Sequence, residues 1–308
     1  MFKEISIIGL GFMGASIAGA VKTANPEIKI SGYDIIQKKI DYCLSGGIID
    51  YAMDFKTDAH KNPYYGNSPD DLTSLVILCT TPKAILTLFD RYKTFFENAP
   101  FITDIGSVKS VITHNAEIKN FKNFVGSHPI CGSDKSGPEN ADFNLFKNKN
   151  CVVIREGSDL ADKTRTDKVE AVAKFWKMLK MNVVYLAADF HDNIIAYTSH
   201  LPHLIAFVLS DTVLSFIQKE KESGNGTFSL IGSGFRDSTR IASSSPDIWT
   251  DIFLMNNENI AASLEDFIAS ANILKGFLET GDEEGLRNII TKIADSRKKY
   301  KSGRRIFD

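Results

Sequence analysis

From the N-terminus, short apolar runs alternate with segments whose apolar positions recur at helical spacing. Glu4–Gly9 (EISIIG), Ile28–Asp34 (IKISGYD), Leu75–Thr80 (LVILCT), Phe101–Ile105 (FITDI), Phe124–Ser127 (FVGS), Cys151–Ile154 (CVVI) and Val183–Leu186 (VVYL) read as strands. The LVILCT run is apolar throughout, as a strand covered on both faces must be. Helical patterns fall between most of these runs, at Gly14–Thr23 and Val169–Lys180 among others. Strands alternating with helices predict right-handed crossovers and a mainly parallel, doubly wound sheet. Phe55–Asp71 is polar and rich in Pro, Gly and Asn, and reads as a loop.

Near Ala187–Asp189 the pattern changes. Strand signals nearly vanish, and long apolar helical patterns cover Asn193–Lys221, Asp247–Glu279 and Glu283–Lys299. The expectation is an α/β fold in two parts: a Rossmann-type domain over 1–188 and an all-α domain over 189–308. Helices apolar on more than one face need more cover than a small helical domain offers, so this half is expected to form a homodimer. Asn193–Ile217 is the most membrane-like stretch, but His200, Pro202, His203 and Asp211 interrupt it, and it reads as a buried helix of a soluble protein.

Composition narrows the class. The 308 residues carry 36 Lys+Arg against 38 Asp+Glu, a formal net charge of -2, which argues against a nucleic-acid partner. Cys43, Cys79, Cys131 and Cys151 show neither disulfide-framework nor zinc spacing, which points to a reducing, cytoplasmic setting. The N-terminus lacks the basic, apolar and small-residue pattern of a targeting segment.

Candidate chemistry begins at Gly9-Leu10-Gly11-Phe12-Met13-Gly14, a G-x-G-x-x-G between a strand and a helix. Gly9 permits the tight turn, Gly11 admits a pyrophosphate, and Gly14 lets helix and strand pack closely, with Phe12 and Met13 in the loop beside the nucleotide. Asp34 ends the second strand 20 residues after Gly14, where a carboxylate meets ribose hydroxyls. Ile35-Ile36-Gln37 supplies no arginine for a 2′-phosphate, so NAD is expected rather than NADP. Thr80, Thr81 and Pro82 at the end of LVILCT lie along the same crevice, although a strand-to-helix turn alone would explain them.

Three further clusters carry polar groups: Thr103-Asp104-Ile105-Gly106-Ser107-Val108-Lys109, Ser127-His128 to Gly137, and thirdly Ser199-His200-Leu201-Pro202-His203 with Gly234-Phe235-Arg236-Asp237-Ser238-Thr239-Arg240-Ile241-Ala242 further on. On residue type alone, His128 is a general base or part of a turn, and Ser107 a hydroxyl partner or a helix cap. His200 and His203 can share a helix side, His203 facing a substrate or sitting satisfied in a core. A metal site is not expected, because no third ligand has suitable spacing.

In order, G-x-G-x-x-G, D-x-x-S-V-K, H-P-x-x-G-x-x-x-S-G, S-H-L-P-H and R-D-x-T-R-I-A followed by Trp249 span Ile5 to Trp249, and the chain resembles the prephenate dehydrogenase family. The resemblance implies NAD-dependent oxidative decarboxylation of prephenate to 4-hydroxyphenylpyruvate in tyrosine biosynthesis, by a homodimer with a helical second domain. His128 matches the histidine that takes the C4 hydroxyl proton, and Ser107 the serine that binds the same hydroxyl or orients the imidazole. Arg240 matches the arginine that grips a substrate carboxylate. Arg236, if helical, lies one turn earlier and either shares that task or forms a surface ion pair. Ser133 and Asp134 lie near the histidine, where an acid suits either the ammonium of arogenate or a bridging water. Arogenate (cyclohexadienyl) oxidation is therefore the alternative, followed by a non-catalytic NAD-binding sensor. A β-hydroxyacid dehydrogenase would want an arginine after the second strand and a lysine in a glycine-rich helix, and neither motif is found.

Overall fold

The computed structural model describes residues 2–53, 74–132, 135–222 and 231–301. Strands β1 (Glu4–Ile8), β2 (Lys29–Tyr33), β3 (Tyr51–Ala52), β4 (Ser74–Leu78), β5 (Phe101–Asp104) and β6 (Phe124–Val125) form one parallel sheet in the order β3-β2-β1-β4-β5-β6. The unbroken apolar character of β4 follows from its place at the centre. Leu75 and Ile77 join one core cluster with Ile5, Ile7 and Phe101, while Val76 and Leu78 join another with Ile8, Phe89 and Ile102. The sheet is buried on both faces.

A second, three-stranded sheet departs from the expected pattern. The chain leaves the first sheet at Gly126, and β7 (Ser127–Pro129) pairs antiparallel with β8 (Asn150–Ile154), which pairs parallel with β9 (Asn182–Leu186). The run FVGS is thus two strands in two sheets. They are tied together where Thr103 Oγ1 meets Ser127 Oγ at 2.8 Å and Ser127 Oγ donates to the carbonyl of Asp104 (2.7 Å). Trp176, fully buried on the helix Lys163–Met178, donates its indole N–H to the same hydroxyl (3.0 Å).

Chain contacts group the protein into Met1–Asn257 and Glu258–Asp308. In the first unit a helix of 35 residues runs over Ala188–Glu222, with one wider π turn at Ala196–His200. By length and composition it could cross a membrane, yet His191 on it binds β7 and Asp192 binds the start of the helix Ser110–Ile118. It is not the buried helix that its sequence suggests. Only 17% of its apolar window is buried, and Val208, Leu214 and Phe216 face outward. Shorter helices follow at Ser233–Thr239 and Pro246–Met255. The second unit comprises nearly all of the helix Asn257–Thr280 and the helix Glu283–Lys301, joined where Gly281 adopts φ +67°. Both helices carry exposed apolar residues, among them Ile273, Leu278 and Ile290.

Candidate active site

The glycine loop is built as its spacing requires. Gly9 has φ +104°, and a Cβ there would strike the carbonyl oxygen of Cys79. A Cβ on Gly14 would strike the carbonyl oxygen of Gly9, whereas at Gly11 it would meet nothing within 4 Å. Of these three glycines, the one with open space is the one a phosphate must approach. Gly11 also precedes the helix Phe12–Ala24, whose first turn has no side-chain cap, so its N–H groups remain for an anion. Phe12 is buried and Met13 partly so.

Asp34 is buried at the end of β2, and its carboxylate shapes the same loop. Oδ2 accepts the N–H of Leu10 (2.9 Å), Oδ1 accepts that of Ile36 (2.9 Å), and Lys39 Nζ lies 3.4 Å from Oδ2. Oδ2 thus has two donors, whereas Oδ1 keeps a further lone pair for a ribose hydroxyl. Thr81 caps the helix Pro82–Arg91, its Oγ1 accepting from Ala84 N at 3.4 Å, and Pro82 opens that helix. The local role that a strand-to-helix turn supplies is therefore present at Thr81, and Thr80 is half-buried beside it.

The D-x-x-S-V-K run surrounds a buried ion pair. Lys109, with no exposed surface, binds the Asp104 carboxylate and the carbonyl of Ser127 (3.1 Å). Asp104 also accepts the N–H groups of Gly106 (2.9 Å) and Ser127 (3.2 Å). Ser107 is half-buried in this loop and does not cap the helix Ser110–Ile118 that follows. The cap comes from far along the chain: Asp192 accepts the N–H groups of Lys109 (2.7 Å) and Ser110 (2.8 Å).

His128 lies on β7, paired with Val152 across the sheet. Its Nδ1 is 2.9 Å from Nε2 of His191, whose Nδ1 is 2.7 Å from Oδ1 of Asp192. Neither His191 nor Asp192 belongs to the motifs that stand out in the sequence. Burial pushes the His128 imidazole well below the ordinary histidine value, and the neighbouring His191, Lys109 and His200 act in the same direction. Burial likewise lowers His191, opposed by Asp192. Burial raises Asp192, but the hydrogen bonds from His191, Ser110 and Lys109 outweigh it and hold the carboxylate below its usual range.

The S-H-L-P-H motif straddles the π turn. His200 is fully buried, pushed down to about 4 by burial, with Nδ1 3.2 Å from Asn256 Nδ2, which also donates to the carbonyl of Asp192 (2.8 Å). His203 donates Nδ1–H to the carbonyl of Ser199 (2.9 Å) and stacks on Trp249, centroids 3.7 Å apart; burial lowers it, and Arg240 nearby adds to that. Arg240 follows the last residue of the helix Ser233–Thr239 and begins a 3-10 turn, so the continuous helix expected for Arg236 and Arg240 ends between them. Both arginines are exposed; Arg236 donates to the carbonyl of Ile231 (3.1 Å) rather than to Asp237. Ser133 and Asp134 lie outside the described residues. Among the described residues no cluster of His, Cys, Asp or Glu could hold a metal, and the four cysteines are free thiols.

Buried histidines give stability a pH dependence of defined sign. Below about pH 6.5 the unfolded chain takes up a proton at His200 that the folded chain refuses until about pH 4. Stability is therefore complete above that window and falls through it by about 1.4 kcal/mol per pH unit for this residue, with His128 and His191 adding in the same direction. The urea midpoint should drop clearly between about pH 7 and about pH 5, and a flat profile would contradict the assignment.

A glycine turn, an uncapped helix N-terminus and a carboxylate at the next strand end, followed by helices that bring imidazoles to the sheet, define a nucleotide-binding dehydrogenase with a helical second part. The family model "Prephenate dehydrogenase, nucleotide-binding domain" matches residues 17–185, and "Prephenate dehydrogenase, dimerization domain" matches 187–292. A cyclohexadienyl dehydrogenase of Zymomonas mobilis is 29% identical over 288 residues, 93% of this chain and 92% of its own. The prephenate dehydrogenase of Bacillus subtilis is 29% identical over 303 residues, 96% of this chain and 76% of its own. The crystal structure of prephenate dehydrogenase from Aquifex aeolicus in complex with hydroxyphenyl propionate and NAD+ superposes with a TM-score of 0.83 at 31% identity, covering 97% and 99% of the two chains. The chain belongs to the prephenate dehydrogenase family, whose members are oxidoreductases acting on prephenate-type cyclohexadienes.

Proposed function

We propose that the protein is an NAD-dependent prephenate dehydrogenase that forms 4-hydroxyphenylpyruvate for tyrosine synthesis in the cytoplasm. The observation that carries this reading is His128: an imidazole on a strand rather than on a loop, kept neutral by its surroundings, with Nδ1 taken up by His191 and Nε2 left to meet a substrate. A neutral histidine is the species that accepts the C4 hydroxyl proton. Gly9, Gly11, Gly14 and the N–H groups at Phe12 and Met13 suit the pyrophosphate of NAD, and Asp34 suits its ribose. When bound, NAD supplies the hydride acceptor. Thr80 and Pro82 line the same crevice, and Ser107, in the loop between β5 and the helix Ser110–Ile118, binds the substrate hydroxyl beside His128.

Arg240 offers an exposed guanidinium for a carboxylate, a fork-shaped donor for a planar acceptor, with Arg236 and His203 toward the same ligand. His200 serves from behind: it is wholly buried and bears on Trp249, 6.0 Å between ring centroids. Ser133 and Asp134, outside the described residues, are assigned to the substrate on sequence alone. The exposed apolar residues of the helix Ala188–Glu222 and of the second unit support burial against a second copy, as expected of a homodimer. Steady-state NADH formation with prephenate and with arogenate tests the reading. A kcat/KM favouring prephenate is expected; one favouring arogenate shifts the assignment to the alternative, and turnover of neither leaves a nucleotide-binding protein without this chemistry.

A further inference from the structure

We propose that His191 and Asp192 are positioning residues that fix the tautomer of His128, so that its Nε2 faces the substrate as a bare lone pair. This rests on the reading of His128 as the base. An ionised carboxylate only accepts, so the 2.7 Å contact requires the proton of neutral His191 to be on Nδ1. Nε2 of His191 is then an acceptor, and the 2.9 Å contact requires His128 to donate from Nδ1. A neutral imidazole has one proton. With that proton on Nδ1, Nε2 of His128 carries the lone pair that a hydroxyl proton needs.

Asp192 is itself immobilised. Its two oxygens accept the N–H groups of Lys109 and Ser110, and its own carbonyl accepts from Asn256. His191 has no exposed surface. The carboxylate therefore links the helix start after the Ser107 loop to the imidazole on β7, through residues of the first helix beyond β9. During turnover the substrate proton moves to Nε2 of His128, and the resulting imidazolium keeps its Nδ1–H on His191. No proton need pass further, and the charge that develops is opposed by the Asp192 carboxylate.

Two measurements test the proposal. The ¹⁵N spectrum of histidine-labelled protein, with the His128 signals identified from their loss in His128→Asn, should show a protonated Nδ1 and a bare Nε2 at neutral pH. A His128 proton on Nε2 overturns the proposal with no variant at position 191. Kinetically, His191→Phe keeps a ring but removes the acceptor, and kcat should fall by about a hundredfold or more while KM for NAD and for substrate stays near wild type. His191→Gln restores an acceptor to His128 Nδ1 and should recover most of the loss. Equal loss in both variants, or His191→Phe near wild type, overturns the positioning role. If the His128→Asn protein turned over normally, the base reading itself would fall instead.

Discussion

Replacing His128 by asparagine is expected to lower kcat by about a hundred- to ten-thousandfold, the usual worth of a positioned general base. The substitution is selective. Asparagine places an amide N–H close to where Nδ1–H stood, so the contact to His191 survives, while nothing replaces Nε2. The strand pairing of His128 with Val152 is a backbone matter and should be unaffected. NAD binding, followed by fluorescence titration, is expected to remain, because the glycine loop and Asp34 belong to the first sheet and His128 to the second. The remaining activity should also lose the acid limb of its pH profile. In the wild type that limb lies below the ordinary histidine range, because burial disfavours the imidazolium. Turnover within about tenfold of wild type would remove His128 from the chemistry.

The second large effect concerns stability. Lys109→Met should destabilise the protein by about 3–5 kcal/mol, because it strands the Asp104 carboxylate in an interior with no exposed surface. That is a large fraction of the stability of an ordinary domain. The companion variant Asp104→Asn with Lys109→Met removes both charges, and it should lie closer to wild type than Lys109→Met alone. Urea midpoints at constant slope measure both. A single variant within about 1 kcal/mol of wild type would show that water or another group reaches Asp104.

Periodicity revealed β1, β2, β4, β5 and β6 because the positions that the sheet covers in them are mostly apolar; β4 is the clearest case. It did not reveal β3, only two residues long, nor that Ser127–Pro129 belongs to a different sheet from Phe124–Val125. A two-residue strand has no period, and the side-chain ties from Thr103 and Trp176 that hold the two sheets together leave no local signature. The glycine loop was legible because its chemistry is backbone chemistry at fixed spacing. Asp192 was not, since it serves a helix 82 residues earlier, and no windowed pattern relates them. The available signal was the dipeptide His191-Asp192 at the entrance of an apolar helix, where ionisable groups need partners. The apolar helix itself was read correctly as a helix and wrongly as buried. A single sequence does not distinguish apolar surface meant for a core from apolar surface meant for another chain.

Asp34 has a double task whose consequence reaches beyond recognition. The carboxylate suited to ribose is also the acceptor that holds the amide of Leu10, and so the turn in which the phosphate loop is made. Re-engineering this protein toward a 2′-phosphorylated nucleotide by exchanging Asp34 for a neutral or cationic residue would remove a selectivity element and a strut at once. A successful redesign would have to supply a new acceptor for that amide before any gain from the added cation could be seen.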